Sequence, residues 1–111
     1  MAERFEDLMA AARATNWRGR SGRYYALEAL PVGQFSLEEN SLYLLARGAD
    51  PLWVGTEADV VGDAARRAAF RTALRVANSA FRIAAPPGEV ERMTMAWDLE
   101  GAEPVAGLTL T

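Results

Sequence analysis

Residues 41–56, SLYLLARGADPLWVGT, constrain the fold of this chain more than any other stretch. Residues 42–46 are a short run rich in β-formers and residues 52–54 are another. Gly48, Asp50 and Pro51 stand between them, where a reversal needs residues that turn readily. The expected structure is a β-hairpin.

Upstream of it, residues 2–15 read as a helix. Phe5, Leu8, Met9 and Ala12 recur at i, i+3, i+4 and i+7, and Glu3, Glu6 and Asp7 load the first turns with favourable negative charge. Residues 17–23, WRGRSGR, read as a loop. Its three Arg, two Gly and one aromatic offer an anion or nucleic-acid contact with Trp17 as a stacking platform. A connector whose Trp17 tucks into the core is the preferred reading, because loops are generally solvated. Residues 23–30 alternate as a strand with Tyr25, Leu27 and Ala29 on one face, and Pro31 stops it. The loop of residues 31–40 contains SLEE at 36–39, which has a capping-box outline and predicts a short helical turn.

Downstream, Thr56, Glu57, Ala58 and Asp59 open a helical turn by the same capping logic, and Asp63 is placed as the N-cap of a longer helix over residues 63–77. Phe70, Ala73, Leu74 and Ala77 share one face of that helix at 3.6-residue spacing. Arg67, Arg71 and Arg75 gather with Asn78 in an arc of about 80°. This strip is a weak candidate for phosphate or anion binding; a solvated face, with Arg stems covering apolar edges, is the preferred reading. Arg66 departs from the strip. It shares the inward face with Phe70, so it must find a carboxylate, a ligand or the domain edge.

Two readings stay open for residues 78–84: a continuation of the helix, or a break followed by a strand AFRIA (80–84) with Phe81 and Ile83 on one face. The Pro86-Pro87-Gly88 stretch interrupts the chain in either case. Residues 89–100 also fit two patterns, since Met93, Met95, Trp97 and Leu99 alternate while Val90, Met93 and Trp97 follow a helical period. The helix is preferred, because Met, Glu, Arg and Ala favour it. Residues 105–111 alternate and are expected to add an edge strand.

Composition limits the chemistry. The 111 residues fit one domain, 1–111, and with 50% hydrophobic and 24% charged residues the chain belongs with ordinary globular proteins. There is no Cys, hence no disulfide and no thiol nucleophile, and no His, hence neither the commonest general base nor the commonest transition-metal ligand. All 12 basic residues are Arg, which holds fixed charge and transfers no proton. Arg-only usage with abundant Ala reads as GC-rich, bacterial-type codon bias. A metal held by side chains would have to be an oxygen-liganded ion. The net charge of −3 and a pI near 4.9 argue against a dedicated nucleic-acid binder. No run is long enough for a membrane-spanning helix and the first residues lack signal-peptide order, which predicts a cytoplasmic protein without a membrane partner.

The hairpin and the helix after it resemble the opening of a GIY-YIG nuclease domain. Ser41-Leu42-Tyr43 stands where that family has its first triplet, Trp53-Val54-Gly55 where it has its second, and Arg66 is the nearest inward-facing Arg on the following helix. The resemblance implies that Tyr43, Trp53 and Arg66 take the catalytic positions, and that a later Glu binds one divalent ion, magnesium or manganese, for phosphodiester cleavage. Glu100 is the best-spaced candidate for this metal ligand, with Glu91 and Glu103 as rivals. Trp53 replaces a Tyr, and its indole N–H donates but cannot act as a base.

The combined expectation is an α+β domain with a small antiparallel sheet of about three to four strands and helices packed against it. Its function is read as a non-catalytic interaction or regulatory module, needing no cofactor; the alternative is a divalent-metal-dependent DNA endonuclease. A homodimer is expected from the apolar excess of the long helix and the exposed edge of so small a sheet.

Overall fold

The computed structural model describes residues 14–105. The expected first helix lies outside the described residues except at its end, and so does the expected last strand except for Val105. Among the described residues the chain forms β1 (Ala14–Arg18), β2 (Tyr24–Leu30), β3 (Ser41–Arg47), β4 (Asp50–Gly55), α1 (Glu57–Gly62), α2 (Ala64–Val76), β5 (Ser79–Ala84), α3 (Glu89–Glu100) and β6 (Glu103–Pro104). The six strands make one sheet in the order β4-β3-β5-β2-β1-β6, antiparallel at every pairing. The α+β class is as expected, but the sheet is wider than three to four strands.

The two extra strands arise where the sequence suggested other things. Ala14 and Thr15, read as the end of a helix, and Trp17 and Arg18, read as loop, are β1. Its register pairs Trp17 with Tyr25 and Thr15 with Leu27, so alternate residues face the core while the backbone is satisfied by β2. Trp17 is 1% exposed and meets Phe81 edge-on at 5.3 Å, so it is core. The other addition, β6, is two residues long and pairs with Trp17 and Arg18.

The hairpin forms as expected, with Gly48 in the left-handed region at φ 61 and Arg47 paired with Asp50. A register shift at Leu45/Ala46 leaves Leu52 as the extra residue of a bulge. Pro51 is tolerated because β4 is an edge strand. Residues 79–84 take the strand reading and 89–100 the helix reading.

Both faces of the sheet are covered. On one, Trp17, Tyr25, Leu27, Leu42, Leu44 and Phe81 pack with Leu99 of α3. On the other, Tyr43, Leu45, Trp53 and Ala80 pack with Phe70, Ala73 and Leu74 of α2. The loop of residues 31–40 adds Val32, Phe35 and Leu37 to this second face. Its expected helical turn at 36–39 does not form. Turning both Phe35 and Leu37 inward needs period-two backbone, and the Tyr43 hydroxyl holds the segment by accepting the Glu38 N–H. No helix among the described residues is long and apolar enough to cross a membrane.

Candidate functional site

The hairpin and α2 set Trp53 and Arg66 in direct contact, while Tyr43, on the same sheet face and paired in register with Gly55, spends its hydroxyl on the 31–40 loop. Trp53 on β4 is held by Phe70 of α2, their rings 4.9 Å apart and edge-on. The α2 helix starts where it does because Asp63 accepts hydrogen bonds from Ala65 N and Arg66 N. That cap sets Arg66 in the first turn, facing β4. Its guanidinium lies 5.0 Å over the Trp53 ring, donates to the Val54 carbonyl at 2.5 Å, and stands 3.6 Å from Asp59. Gly55 makes the approach feasible, since a Cβ there would lie 2.6 Å from Arg66 Nη2 and 2.7 Å from the Trp53 ring. Asp59 is itself oriented by a capping box, accepting from Thr56 N while Thr56 Oγ1 accepts from Asp59 N. Arg66 thus finds a carboxylate, a carbonyl and an aromatic face.

The Tyr43 side chain is 1% exposed, its ring stacks on Phe35 at 5.9 Å, and its hydroxyl accepts from Glu38 N and donates to the Ser36 carbonyl. The charged residue paired with it in the sheet is Arg82 of β5, which bonds Glu28 at 2.8 Å and Glu38 at 3.0 Å. The hydrogen bond to Glu28 raises the Arg82 pKa, against the opposing effect of burial. Phe70 and Leu74 belong to the same apolar cluster as Tyr43, whereas Met93 is on the far side of the sheet and exposed.

Glu100, the candidate metal ligand, shares a cleft of 250 Å³ at the β4 edge with Trp53 and Arg66. The charged groups lining that cleft are one carboxylate and one guanidinium. Magnesium-type ions are held by oxygen donors through one or two carboxylates, and a cation beside the only one present opposes them. The lining therefore does not fit a divalent ion. Among the described residues no group of three acidic side chains is placed to hold a metal. Of the rival ligands, Glu91 borders the groove described below and Glu103 pairs with Arg18 across β1 and β6. On the basic strip, Arg67 donates to the carbonyls of Val60 and Val61 and closes α1, while Arg71 and Arg75 are exposed.

The most constrained polar group is one that sequence reasoning missed. Asp98, on α3, is 3% exposed and accepts from Ser21 N at 2.7 Å, Ser21 Oγ at 2.7 Å and Tyr25 Oη at 2.6 Å. Burial pushes its carboxyl up. The donations from Tyr25 and Ser21, with the Arg23 charge, outweigh burial and hold it below the usual carboxylate range. The Tyr25 hydroxyl is pushed up to about 12, chiefly by burial and then by Asp98. Gly19 is needed here because a Cβ would run into the Asp98 carboxylate. Arg20 completes the joint, donating to the Trp97 carbonyl at 2.8 Å and lying 5.0 Å over its ring. A depressed carboxylate is a weak base and a tyrosine at about 12 holds its proton, so the cluster staples the β1–β2 turn to the end of α3. Its only sequence signal is an acidic residue amid Trp97 and Leu99 near the end of an otherwise amphipathic helix.

Beside this staple runs a groove of 520 Å³ between α3 and the β1–β2 turn, lined by Arg23, Tyr25, Pro86, Val90, Thr94 and Trp97 among others. The outer wall of α3 is apolar. Val90, Met93 and Trp97 are 73, 65 and 53% exposed. Comparison of the chain with models of known protein families, with curated proteins and with solved structures finds no match.

Proposed function

We propose that the chain is a small cytoplasmic, non-catalytic interaction module that needs no cofactor and whose hairpin and following helix have a GIY-YIG-like architecture. The observation that carries this reading is the use made of Arg66. In a nuclease of that kind the guanidinium would face a scissile phosphate. Here it is engaged by the Val54 carbonyl, the Trp53 ring and Asp59, all parts of the fold. Tyr43 is likewise enclosed, with its hydroxyl engaged by Ser36 and Glu38. The surface left for a protein partner is the outer wall of α3, where three large apolar side chains stand in solvent on one helix face.

The test is a nicking assay on supercoiled plasmid with magnesium or manganese, run on the wild type and on Arg66→Ala. The expected result is no cleavage by either protein, with Arg66→Ala destabilised by about 1–2 kcal/mol through loss of one hydrogen bond and one cation–π contact. Metal-dependent nicking that vanishes in Arg66→Ala would overturn the reading in favour of the endonuclease.

A further inference from the structure

The exposed wall of α3 is apolar at its centre and acidic along one margin. Val90, Met93 and Trp97 fall at i, i+3 and i+7 and line one strip. At about 100° per residue, Glu89 and Glu100 border that strip on one side, while Glu91 lies about 100° round from Val90, beyond Thr94, and all three are exposed. Arg92 is turned away, donating to the carbonyls of Pro86 and Pro87. Arg20 is committed to Trp97, and Arg23 lies across the groove from Val90 and Trp97. Such a wall suits a cationic helix with a shallow surface.

The chain carries one. Ala64–Val76 has four Arg and no acidic residue. Arg66 and Arg67 are used internally, but Arg71 and Arg75 are exposed and make no hydrogen bond or ion pair among the described residues. They are like charges four residues apart, which repel unless an anion stands between them. Next to them the exposed surface of α2 is mostly small, with Ala64, Ala65, Ala68, Ala69 and Thr72 low enough for large side chains to lie across and Val76 at its end. The two helices pack on opposite faces of the sheet and approach each other only at the β4 edge, where Glu100 shares a cleft with Arg66 and Ala69, so the strip of Val90, Met93 and Trp97 does not cover the α2 of its own chain.

We propose that α3 of one copy docks on α2 of a second copy. Val90, Met93 and Trp97 cover the Ala64, Ala68 and Thr72 surface while Arg71 and Arg75 pair with the flanking glutamates. The charge complementarity of the two helices selects a second copy as the occupant. The contact is head-to-tail, since each copy offers one of each surface, and it propagates into a ring or a chain. This inference rests on the reading of the protein as an interaction module.

Sedimentation velocity on the full chain over a wide concentration range tests it, with Met93→Ser/Trp97→Ser as the α3 variant and Arg71→Glu/Arg75→Glu as the α2 variant. Circular dichroism checks each fold, and Arg71→Gln/Arg75→Gln serves if the charge reversal unfolds α2. The wild type is expected to sediment faster as concentration rises, and less so at high salt. Each variant alone is expected to associate at least about tenfold more weakly, a change of about 1.4 kcal/mol. An equimolar mixture of the two variants restores one intact contact and is expected to yield a heterodimer and nothing larger. Three results would each overturn the proposal: a wild type monomeric throughout, an α2 variant that associates like wild type because α3 meets α3, or variants that fail to complement. Nicking that depends on Arg66 would instead overturn the underlying reading, whatever the state of association.

Discussion

Asp98 shows what one buried charge does in a domain this small. Three donors converge on it from a turn and a strand more than seventy positions away in sequence. Hydrogen bonds to a charged group contribute about 1.5–3 kcal/mol, and stranding their donors costs a similar amount. Asp98→Asn is therefore expected to lower stability at neutral pH by about 2–3 kcal/mol in urea unfolding. The folded-state pKa lies below the unfolded one, so the carboxylate's contribution is complete above the ordinary aspartate value of about 3.9 and is lost as pH falls through the depressed folded value. The gap between wild type and Asp98→Asn should therefore be flat from neutral pH down to about 5 and close below about 4. A gap that does not change with pH would mean that the variant acts through shape alone. None of this was legible beforehand, because local pattern ranks Asp98 as one more polar residue near a helix end.

At the level of elements the sequence was far more informative. Thr56 and Asp63 were placed as caps from spacing alone, and both cap: Thr56 in a reciprocal box with Asp59, Asp63 by bonding two amides of α2. Asp63 also ends α1 through its own N–H to the Asp59 carbonyl, so one residue closes one helix and starts the next. Replacing it by Ala is expected to cost about 1 kcal/mol, measured by thermal or urea unfolding. It should also loosen Arg66 from Trp53, visible as a change in tryptophan fluorescence. The inward face of α2 and the alternation of β2 are as the periodicity predicts. What was misread, β1 and the helical turn within the 31–40 loop, lies in short stretches that carry no period long enough to decide, and contacts with distant residues settled the conformation: pairing with β2 for β1, and the Tyr43 hydroxyl and the apolar cluster for the loop.

On the scale of the whole molecule, β3 is the axis. It is the strand flanked by β4 and β5, buried on both faces from Leu42 to Ala46, and it receives α3 on one side and α2 on the other. Leu45→Ala removes a side chain with 0% exposure, and the expected loss is about 2–5 kcal/mol by urea unfolding. Trp97→Ser, at a half-exposed aromatic that loses chiefly its contact with Arg20, is expected to cost about 0.5–1 kcal/mol. Comparable losses at the two positions would mean that α3 lies deeper than its exposure indicates.

The sequence by itself determined the hairpin, both helix caps, the inward face of α2 and the strand at residues 23–30, because those signals act between residues two to four apart. It also placed Arg66 on the inward side. Only the tertiary structure decided the strand order, which inserts β5 between β3 and β2. It alone showed that Arg66 closes on β4 while Tyr43 faces Phe35, and that Ser21, Tyr25 and Asp98 meet. Those outcomes depend on how separate elements are laid against one another, and a period of two or 3.6 residues says which face of an element is apolar but not what will cover it.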